Sequence, residues 1–188
     1  MNIVEKAMIF ATNAHSGQTR KDERTPYILH PAEVASIAAT MTEDAEVIAA
    51  CLLHDTVEDT DTTIEDIRRE FGEKVCSLVA GDTEDEDAGV PREESWYSRK
   101  EKSLKALMNS DRDVKILWLS DKLSNMRSFY RMYRAQGDAM WQHFNQKDKT
   151  VQRWYYRTIA DLLKDLGATA AYEEYVWRMN VVFGEDED

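Results

Sequence analysis

Residues 53–60 have the sequence Leu53-His54-Asp55-Thr56-Val57-Glu58-Asp59-Thr60. This polar run follows an apolar stretch at helical spacing, where a His-Asp pair is costly unless its polar atoms are satisfied. Glu58 comes four residues after His54, and Asp59 comes four after Asp55, so one more helical turn would place all of them on one side. The run predicts either a metal site with acid–base groups beside it, or a helix end that carries solvated acids and a cap.

Further candidate ligands decide between these alternatives. His30 precedes Pro31, which biases His30 away from helical angles and predicts an extended turn just before a helix. Asp121 falls on the apolar face of a predicted helix, and Asp is rarely buried without a partner. A hydrogen-bonded core histidine and a buried salt bridge are the alternatives for these two residues. With His54 and Asp55 they make two imidazoles and two carboxylates, a set that suits Mn, Fe, Zn or Mg ions.

The rest of the chain predicts an all-α fold. Only 7 Gly and 3 Pro occur in 188 residues, which favours long helices over many short strands. Thr62 and Glu65 have the spacing of a capping box, and Gly72 is expected to end that helix. We expect a single domain over residues 1–188, with its core at about 5–170 and long C-terminal helices. The predicted helices cover residues 2–15, 31–41, 44–57, 63–71, 74–80, 95–109, 111–135, 146–166 and 169–182.

Charge and composition exclude several classes of partner. The net charge is −12 and no block of Lys or Arg stands out, so we expect neither a nucleic-acid surface nor a membrane surface. A small anionic ligand stays compatible, because a bound metal and a few cations can dominate the field in a cleft. Cys51 and Cys76 are predicted to be buried free thiols, and the N-terminus lacks signal-peptide features, so we expect a cytoplasmic protein. Aromatic residues at helical spacing near the C-terminus are compatible with core packing or with a homo-oligomer.

The order His…His-Asp…Asp, together with the strings around it, resembles the HD-domain phosphohydrolases. In particular, these strings resemble the hydrolase domain of the RelA/SpoT alarmone enzymes, especially the stand-alone small alarmone hydrolases. The similarity extends over about residues 5–170, and the strings that carry it are residues 17–21, 26–31, 54–60, 71–72 and 120–127. The resemblance implies Mn²⁺-dependent hydrolysis of guanosine 3′,5′-bis(diphosphate), or ppGpp, to GDP and pyrophosphate.

The resemblance also implies roles for individual residues. The residues at the family's metal-ligand positions are His30, His54, Asp55 and Asp121. Glu58 and Asp59 stand where the family has paired acids that activate and orient the attacking water, and Glu58 is our candidate for the general base. The residues at substrate-binding positions are Arg20, Lys21, Asn125 and Ser128. The first two match basic residues of the nucleotide pocket, the third matches a nucleoside contact, and the fourth stands where a hydroxyl contacts the base.

The chain departs from the family pattern in two places. Ser120 and Ser124 replace other residues within their motif, and segment 82–87 is more acidic than the family's lysine-containing stretch. Two alternatives therefore stay open: a phosphohydrolase for another nucleotide, such as the 2′-phosphate of NADPH or a nucleoside monophosphate, and a non-catalytic nucleotide-binding module. Intact Glu58 and Asp59 argue against the second, because a sensor does not need a water-activating pair. No synthetase domain is expected.

Overall fold

The structure is a computed structural model that describes residues 1–20, 25–82, 91 and 94–184. Its α-helices are α1 (Ile3–Ala14), α2 (Leu29–Ala38), α3 (Ala45–Leu53), α4 (Thr56–Asp59), α5 (Ile64–Phe71), α6 (Glu73–Asp82), α7 (Trp96–Met108), α8 (Arg112–Gln136), α9 (Lys149–Leu162) and α10 (Ala170–Phe183). Short 3₁₀ turns cover Gly137–His143 and Lys164–Leu166. No β-strand occurs within the described ranges, which confirms the all-α prediction. Within the same ranges, no helix is both long enough and apolar enough to cross a membrane.

The chain divides into two compact units. The first comprises Met1–Glu84 and Asp111–Asp121, and the second comprises Asp85–Ser110 and Lys122–Asp188. Whether they behave as the single domain expected over residues 1–188 stays a prediction. All four candidate metal ligands belong to the first unit.

Helix α3 is the centre of the first unit. It packs against α1, α2 and α6, and α5 packs on α6. From Val47 to Leu53, every side chain of α3 except that of Ile48 is fully buried, among them Ala49 and Cys51. A helix that is apolar all round belongs in a core, and the small residues allow its neighbours to approach closely. This buried helix carries the chain directly to His54.

In the second unit α9 packs against α7 and α10. Its core contains an aromatic cluster whose neighbouring ring centroids lie 4.8 to 5.9 Å apart, formed by Phe129, Trp141, Phe144, Tyr156 and Phe183. Arg127 forms a bidentate ion pair with Glu174, with N–O distances of 2.8 and 2.6 Å, and thereby ties α8 to α10. Aromatic packing and this ion pair together order the C-terminal helices.

Both cysteines are buried free thiols, as predicted. Cys51 lies in α3 and is 0% exposed, and Cys76 lies in α6 and is 1% exposed. Burial raises the pKa of both thiols above the ordinary value.

Two helix starts differ from the sequence prediction. Helix α2 begins at Leu29 and not at Pro31, so His30 lies inside the first helical turn instead of an extended turn. Pro31 is tolerated there because the first N–H groups of a helix have no partner within the helix. The capping box of α5 is formed by Thr63 and Asp66, one residue later than predicted: Thr63 N donates to Asp66 Oδ2 at 3.0 Å, and Asp66 N donates to Thr63 Oγ1 at 3.2 Å.

Three helix ends also differ. Helix α6 continues to Asp82, past the predicted end at residue 80, and residues 83–87 of the acidic segment lie outside the described residues. Helix α9 ends at Leu162, where the prediction extended to residue 166, and a 3₁₀ turn follows. The helix predicted over residues 44–57 ends at Leu53, and its continuation is the separate α4.

Candidate metal centre

The candidate ligands His54 and Asp55 occupy the break between α3 and α4. His54 keeps helical angles, with φ −54° and ψ −40°, whereas Asp55 has φ −89° and ψ −6°. The Thr56 hydroxyl donates to the Leu53 carbonyl oxygen at 2.6 Å. Threonine hydroxyls compete in this way with the backbone hydrogen bonds of a helix. The break replaces the continuous helix that the sequence pattern predicted.

The structure brings together all four residues predicted as metal ligands. His30 Nε2 lies 3.1 Å from Asp121 Oδ1 and 3.4 Å from Asp55 Oδ2. His54 Nε2 lies 3.1 Å from Asp55 Oδ2 and 3.6 Å from Asp121 Oδ1. Ligand atoms of His30, His54 and Asp121 all lie within 4.8 Å of one another, and these three residues are buried.

The tautomer of His54 suits it for binding a cation. Its Nδ1 lies 2.9 Å from the carbonyl oxygen of Cys51. A carbonyl can only accept, so Nδ1 carries a proton, and Nε2 is the ring nitrogen that faces Asp55 and Asp121. This arrangement needs positive charge between Nε2 and the two carboxylates, either a proton or a metal ion, and a backbone hydrogen bond at the other ring nitrogen is typical of metal-ligating histidines. These donors therefore fit a divalent cation.

The pKa shifts around His54 have the same electrostatic cause. Burial alone would lower the pKa of His54, but the facing carboxylates of Asp55 and Asp121 raise it well above its ordinary value. Burial alone would raise the pKa of Asp55, but His54 and His30 lower it. Both shifts follow from the attraction between a carboxylate and a positively charged imidazole, which is strong where both groups are shielded from water.

Tyr27 joins the candidate ligands to the acid pair, and the sequence interpretation did not identify this role. Its hydroxyl lies 2.6 Å from Asp55 Oδ2 and 2.8 Å from Asp59 Oδ2, so its single proton is shared between the two carboxylates. Burial, followed by the charges of Asp55 and Asp59, raises the pKa of Tyr27. A phenol that stays protonated is a dependable donor, so Tyr27 holds these two carboxylates close together. Tyr27 lies within residues 26–31, one of the strings that carry the resemblance, and this position is the sequence feature that could have identified its role.

Glu58 and Asp59 lie at the end of α4, and both side chains are exposed. Asp59 is fixed by the Tyr27 hydroxyl at 2.8 Å, while the backbone N–H of Asp59 donates to the Asp55 carbonyl oxygen at 2.9 Å. A buried cation-binding cluster with exposed carboxylates beside it is the arrangement that acid–base chemistry on a bound water requires.

Two side chains from the segment after α1 form a chain of hydrogen bonds that ends at Asp59. Gln18 Nε2 donates to the Asp59 carbonyl oxygen at 2.7 Å, and His15 Nδ1 lies 2.8 Å from Gln18 Oε1. The rings of His15 and Tyr27 pack with their centroids 4.8 Å apart. Helical spacing does not predict these contacts of His15, because they depend on how the segment before α2 folds back.

The candidate substrate-binding residues come from two distant segments of the chain. The Arg20 guanidinium lies 5.9 Å from the centroid of the Tyr27 ring, and Arg20 N donates to the Thr25 carbonyl oxygen at 2.9 Å. Lys21 lies outside the described residues. Asn125 and Ser128 are half-buried on α8 in the second unit, so their role in binding a nucleotide stays a prediction.

Comparison with known proteins adds independent findings. A family model described as HD domain matches residues 7–149. A guanosine-3′,5′-bis(diphosphate) 3′-pyrophosphohydrolase of Aquifex aeolicus (strain VF5) is 33% identical over 97% of this chain, which spans only 24% of that protein. A protein of the same described activity, MESH1 of Danio rerio, is 42% identical over 88% of this chain and 85% of that protein.

Solved structures agree with these sequence relatives. One is described as a metazoan ortholog of SpoT that hydrolyzes ppGpp and plays a role in starvation responses. It matches with a TM-score of 0.75 and 27% identity, covering 96% of this chain and 95% of that chain. A crystal structure from Listeria monocytogenes EGD-e matches with a TM-score of 0.72 and 30% identity, covering 83% of this chain and 99% of that chain.

Proposed function

The chain belongs to the HD-domain family, and on that premise we propose that it is a metal-dependent ppGpp hydrolase. The reaction is hydrolysis of guanosine 3′,5′-bis(diphosphate) at the phosphorus attached to the 3′ oxygen. Water adds to that phosphorus, the bond to the 3′ oxygen breaks, and GDP and pyrophosphate are released. The relatives described with this activity in Aquifex aeolicus and Danio rerio support the choice of substrate.

A cluster of three buried side chains and one half-buried side chain supports the metal dependence. Two imidazole nitrogens and two carboxylates converge within the first unit, with Nε2 to Oδ distances of 3.1 to 3.6 Å. A divalent ion bound there would shield phosphate charge and lower the pKa of a water. We propose Mn²⁺ as that ion, on the family resemblance. The single observation that carries the proposal is the 2.9 Å contact between His54 Nδ1 and the Cys51 carbonyl oxygen, which leaves Nε2 as the ligand atom.

The remaining chemistry is assigned to the chain's own carboxylates. Glu58 accepts the proton of the attacking water, because its side chain is exposed at the end of α4, beside the buried cluster. Asp59 orients the same water while the Tyr27 hydroxyl, 2.8 Å away, fixes its carboxylate. Arg20 and Lys21 bind the nucleotide, and because they contact it in the ground state they affect mainly KM.

The test is a substrate screen with purified protein and Mn²⁺, following pyrophosphate and orthophosphate separately. With ppGpp the proposal expects GDP and intact pyrophosphate in equal amounts. The panel includes NADPH and nucleoside monophosphates, since the acidic segment 82–87 is the sequence feature that favours another nucleotide. Release of orthophosphate alone, or a strong preference for NADPH, would reject the alarmone assignment while leaving the metal-dependent phosphohydrolase in place. Binding of nucleotides without turnover would favour the non-catalytic module.

A further inference from the structure

The position of the acid pair depends on a very short helix. Helix α4 has 4 residues and ends at Asp59. A helix of this length is not stable on its own, because nucleation costs more than so few hydrogen bonds return. Contacts from the rest of the unit must therefore hold it. Gln18 makes one of them, since its Nε2 donates to the Asp59 carbonyl oxygen, a group that the end of a helix leaves without a helical partner.

The direction of each hydrogen bond in this contact can be deduced. The Asp59 carbonyl only accepts, so the NH₂ group of Gln18 must face it at 2.7 Å. Gln18 Oε1 then faces His15 Nδ1 at 2.8 Å, and Nδ1 must be the donor. His15 is 3% exposed, so its ring is held in place by the core. The order of donation runs from His15 to Gln18 and from Gln18 to Asp59.

Gln18 is also linked to the residue that holds the carboxylate of Asp59. Tyr27 N donates to the Gln18 carbonyl oxygen at 3.0 Å, and the Tyr27 hydroxyl lies 2.8 Å from Asp59 Oδ2. Asp59 is thus held at its backbone by Gln18 and at its carboxylate by Tyr27. Because Gln18 and Tyr27 are also joined by a backbone hydrogen bond, a shift of the C-terminal end of α4 is opposed at both the backbone and the carboxylate of Asp59.

We propose that Gln18, oriented by His15, is a positioning residue for the acid pair Glu58 and Asp59. It acts through the backbone of Asp59. Without the amide donor the end of α4 would explore more orientations, and a smaller fraction of molecules would hold both carboxylates in the reactive geometry. Such a loss lowers kcat more than it raises KM, because binding of the nucleotide does not depend on it. The kinetic part of this inference rests on the proposed hydrolase function.

Two substitutions at Gln18 test the donor. Gln18→Met removes both hydrogen bonds without adding charge, and Gln18→Glu keeps the acceptor for His15 but turns a carboxylate toward the Asp59 carbonyl. We expect both variants to lose roughly 10-fold or more in kcat, with KM within about twofold of wild type. The number of Mn²⁺ ions bound per chain is expected to stay unchanged. Wild-type kcat in both variants would overturn the proposal.

A matched pair at His15 separates positioning from packing. His15→Asn keeps an N–H donor near the place of Nδ1, whereas His15→Leu fills the core but has no donor. We expect His15→Asn to retain most of the wild-type kcat and His15→Leu to lose as much as Gln18→Met. Equal losses in the two variants would mean that the imidazole matters for packing alone, which contradicts its role in orienting Gln18.

A readout without substrate distinguishes failure of this inference from failure of the proposed function. ¹⁵N relaxation gives backbone order parameters for the amides of Glu58 and Asp59 in the wild type and in Gln18→Met. We expect rigid values in the wild type, lower values in the variant at these residues, and unchanged values in α3. Flexible Glu58 and Asp59 amides in the wild type, or a loss of order throughout α3, would overturn the proposal even if ppGpp proves not to be the substrate.

Discussion

At the scale of single residues, the hydrogen bond from His54 Nδ1 to Cys51 decides which nitrogen is available to a metal. We expect His54→Ala and Asp121→Ala to lose the bound Mn²⁺, because each removes a buried donor from a set whose ligand atoms lie within 4.8 Å of one another. Elemental analysis after dialysis measures the ion. His143→Ala is the matched control, since His143 is exposed and belongs to the second unit. Full occupancy in the His54 and Asp121 variants would remove both residues from the ligand set.

Glu58 is expected to matter for turnover and not for metal binding. Glu58→Gln should lower kcat by roughly 100-fold or more, the usual contribution of a positioned general base, while the bound Mn²⁺ is retained. Glu43→Gln, another exposed carboxylate of the first unit, serves as the control. Steady-state rates at saturating ppGpp measure the effect. A near-wild-type rate in Glu58→Gln would transfer the role to Asp59.

The residues that sequence reasoning found differ in kind from those that it missed. His30, His54, Asp55 and Asp121 were predicted because polar groups next to apolar helical stretches demand partners, and the structure brings them together. Tyr27, Gln18 and His15 were missed as supporting residues. Tyr27 and Gln18 both contact Asp59, which is 32 positions from Tyr27 and 41 from Gln18 in the chain. No periodic pattern encodes such a contact.

At the scale of elements, the break between α3 and α4 is the feature that the spacing of apolar residues could not predict. The spacing of apolar residues predicted one helix over residues 44–57, because a hydroxyl that takes a backbone acceptor does not alter that spacing. The same limitation displaced the capping box of α5 by one residue, since Thr62 and Thr63 both have a cap-forming side chain and an acid three positions later. In the structure the capping box is formed by Thr63 and Asp66.

The break itself can be tested through Thr56. Thr56→Val keeps the shape but removes the hydroxyl that donates to the Leu53 carbonyl at 2.6 Å, in a place where Thr56 is 0% exposed. A buried carbonyl without its partner should lower the free energy of unfolding by about 1–3 kcal/mol. Mn²⁺ affinity should fall by roughly 10-fold, because the break orients His54 and Asp55. Thr56→Ser retains the hydroxyl, so urea unfolding and Mn²⁺ titration of that variant should resemble the wild type.

At the scale of the whole molecule, metal binding is expected to stabilise the fold. An ion that binds only the folded state at ~100 times its Kd adds about 2.7 kcal/mol, which corresponds to a rise in Tm of roughly 5 °C or more for a chain of this size. Chelation should therefore lower the Tm of the wild type, and added Mn²⁺ should restore it. His54→Ala should show no Mn²⁺-dependent shift. An equal shift in that variant would mean that the ion acts elsewhere.

The identity of the ion, the oligomeric state and the cytoplasmic location stay predictions at this scale.

The net charge of −12 gives the molecule as a whole a negative field, whereas the proposed substrate is itself an anion. Arg20 and Lys21 and a bound divalent ion would have to overcome that field locally. Rates at low substrate concentration should accordingly rise with moderate salt, because the Debye length falls to ≈ 10 Å at 0.1 M ionic strength.

The burial of both thiols has a practical consequence for labelling the protein. Cys51 and Cys76 are 0% and 1% exposed, and burial raises the pKa of each, so little thiolate is available to a maleimide at neutral pH. A cysteine introduced at an exposed position such as Thr12 on α1 would react first. A fluorophore or spin label can then be attached at one chosen place while the native cysteines remain in the chain.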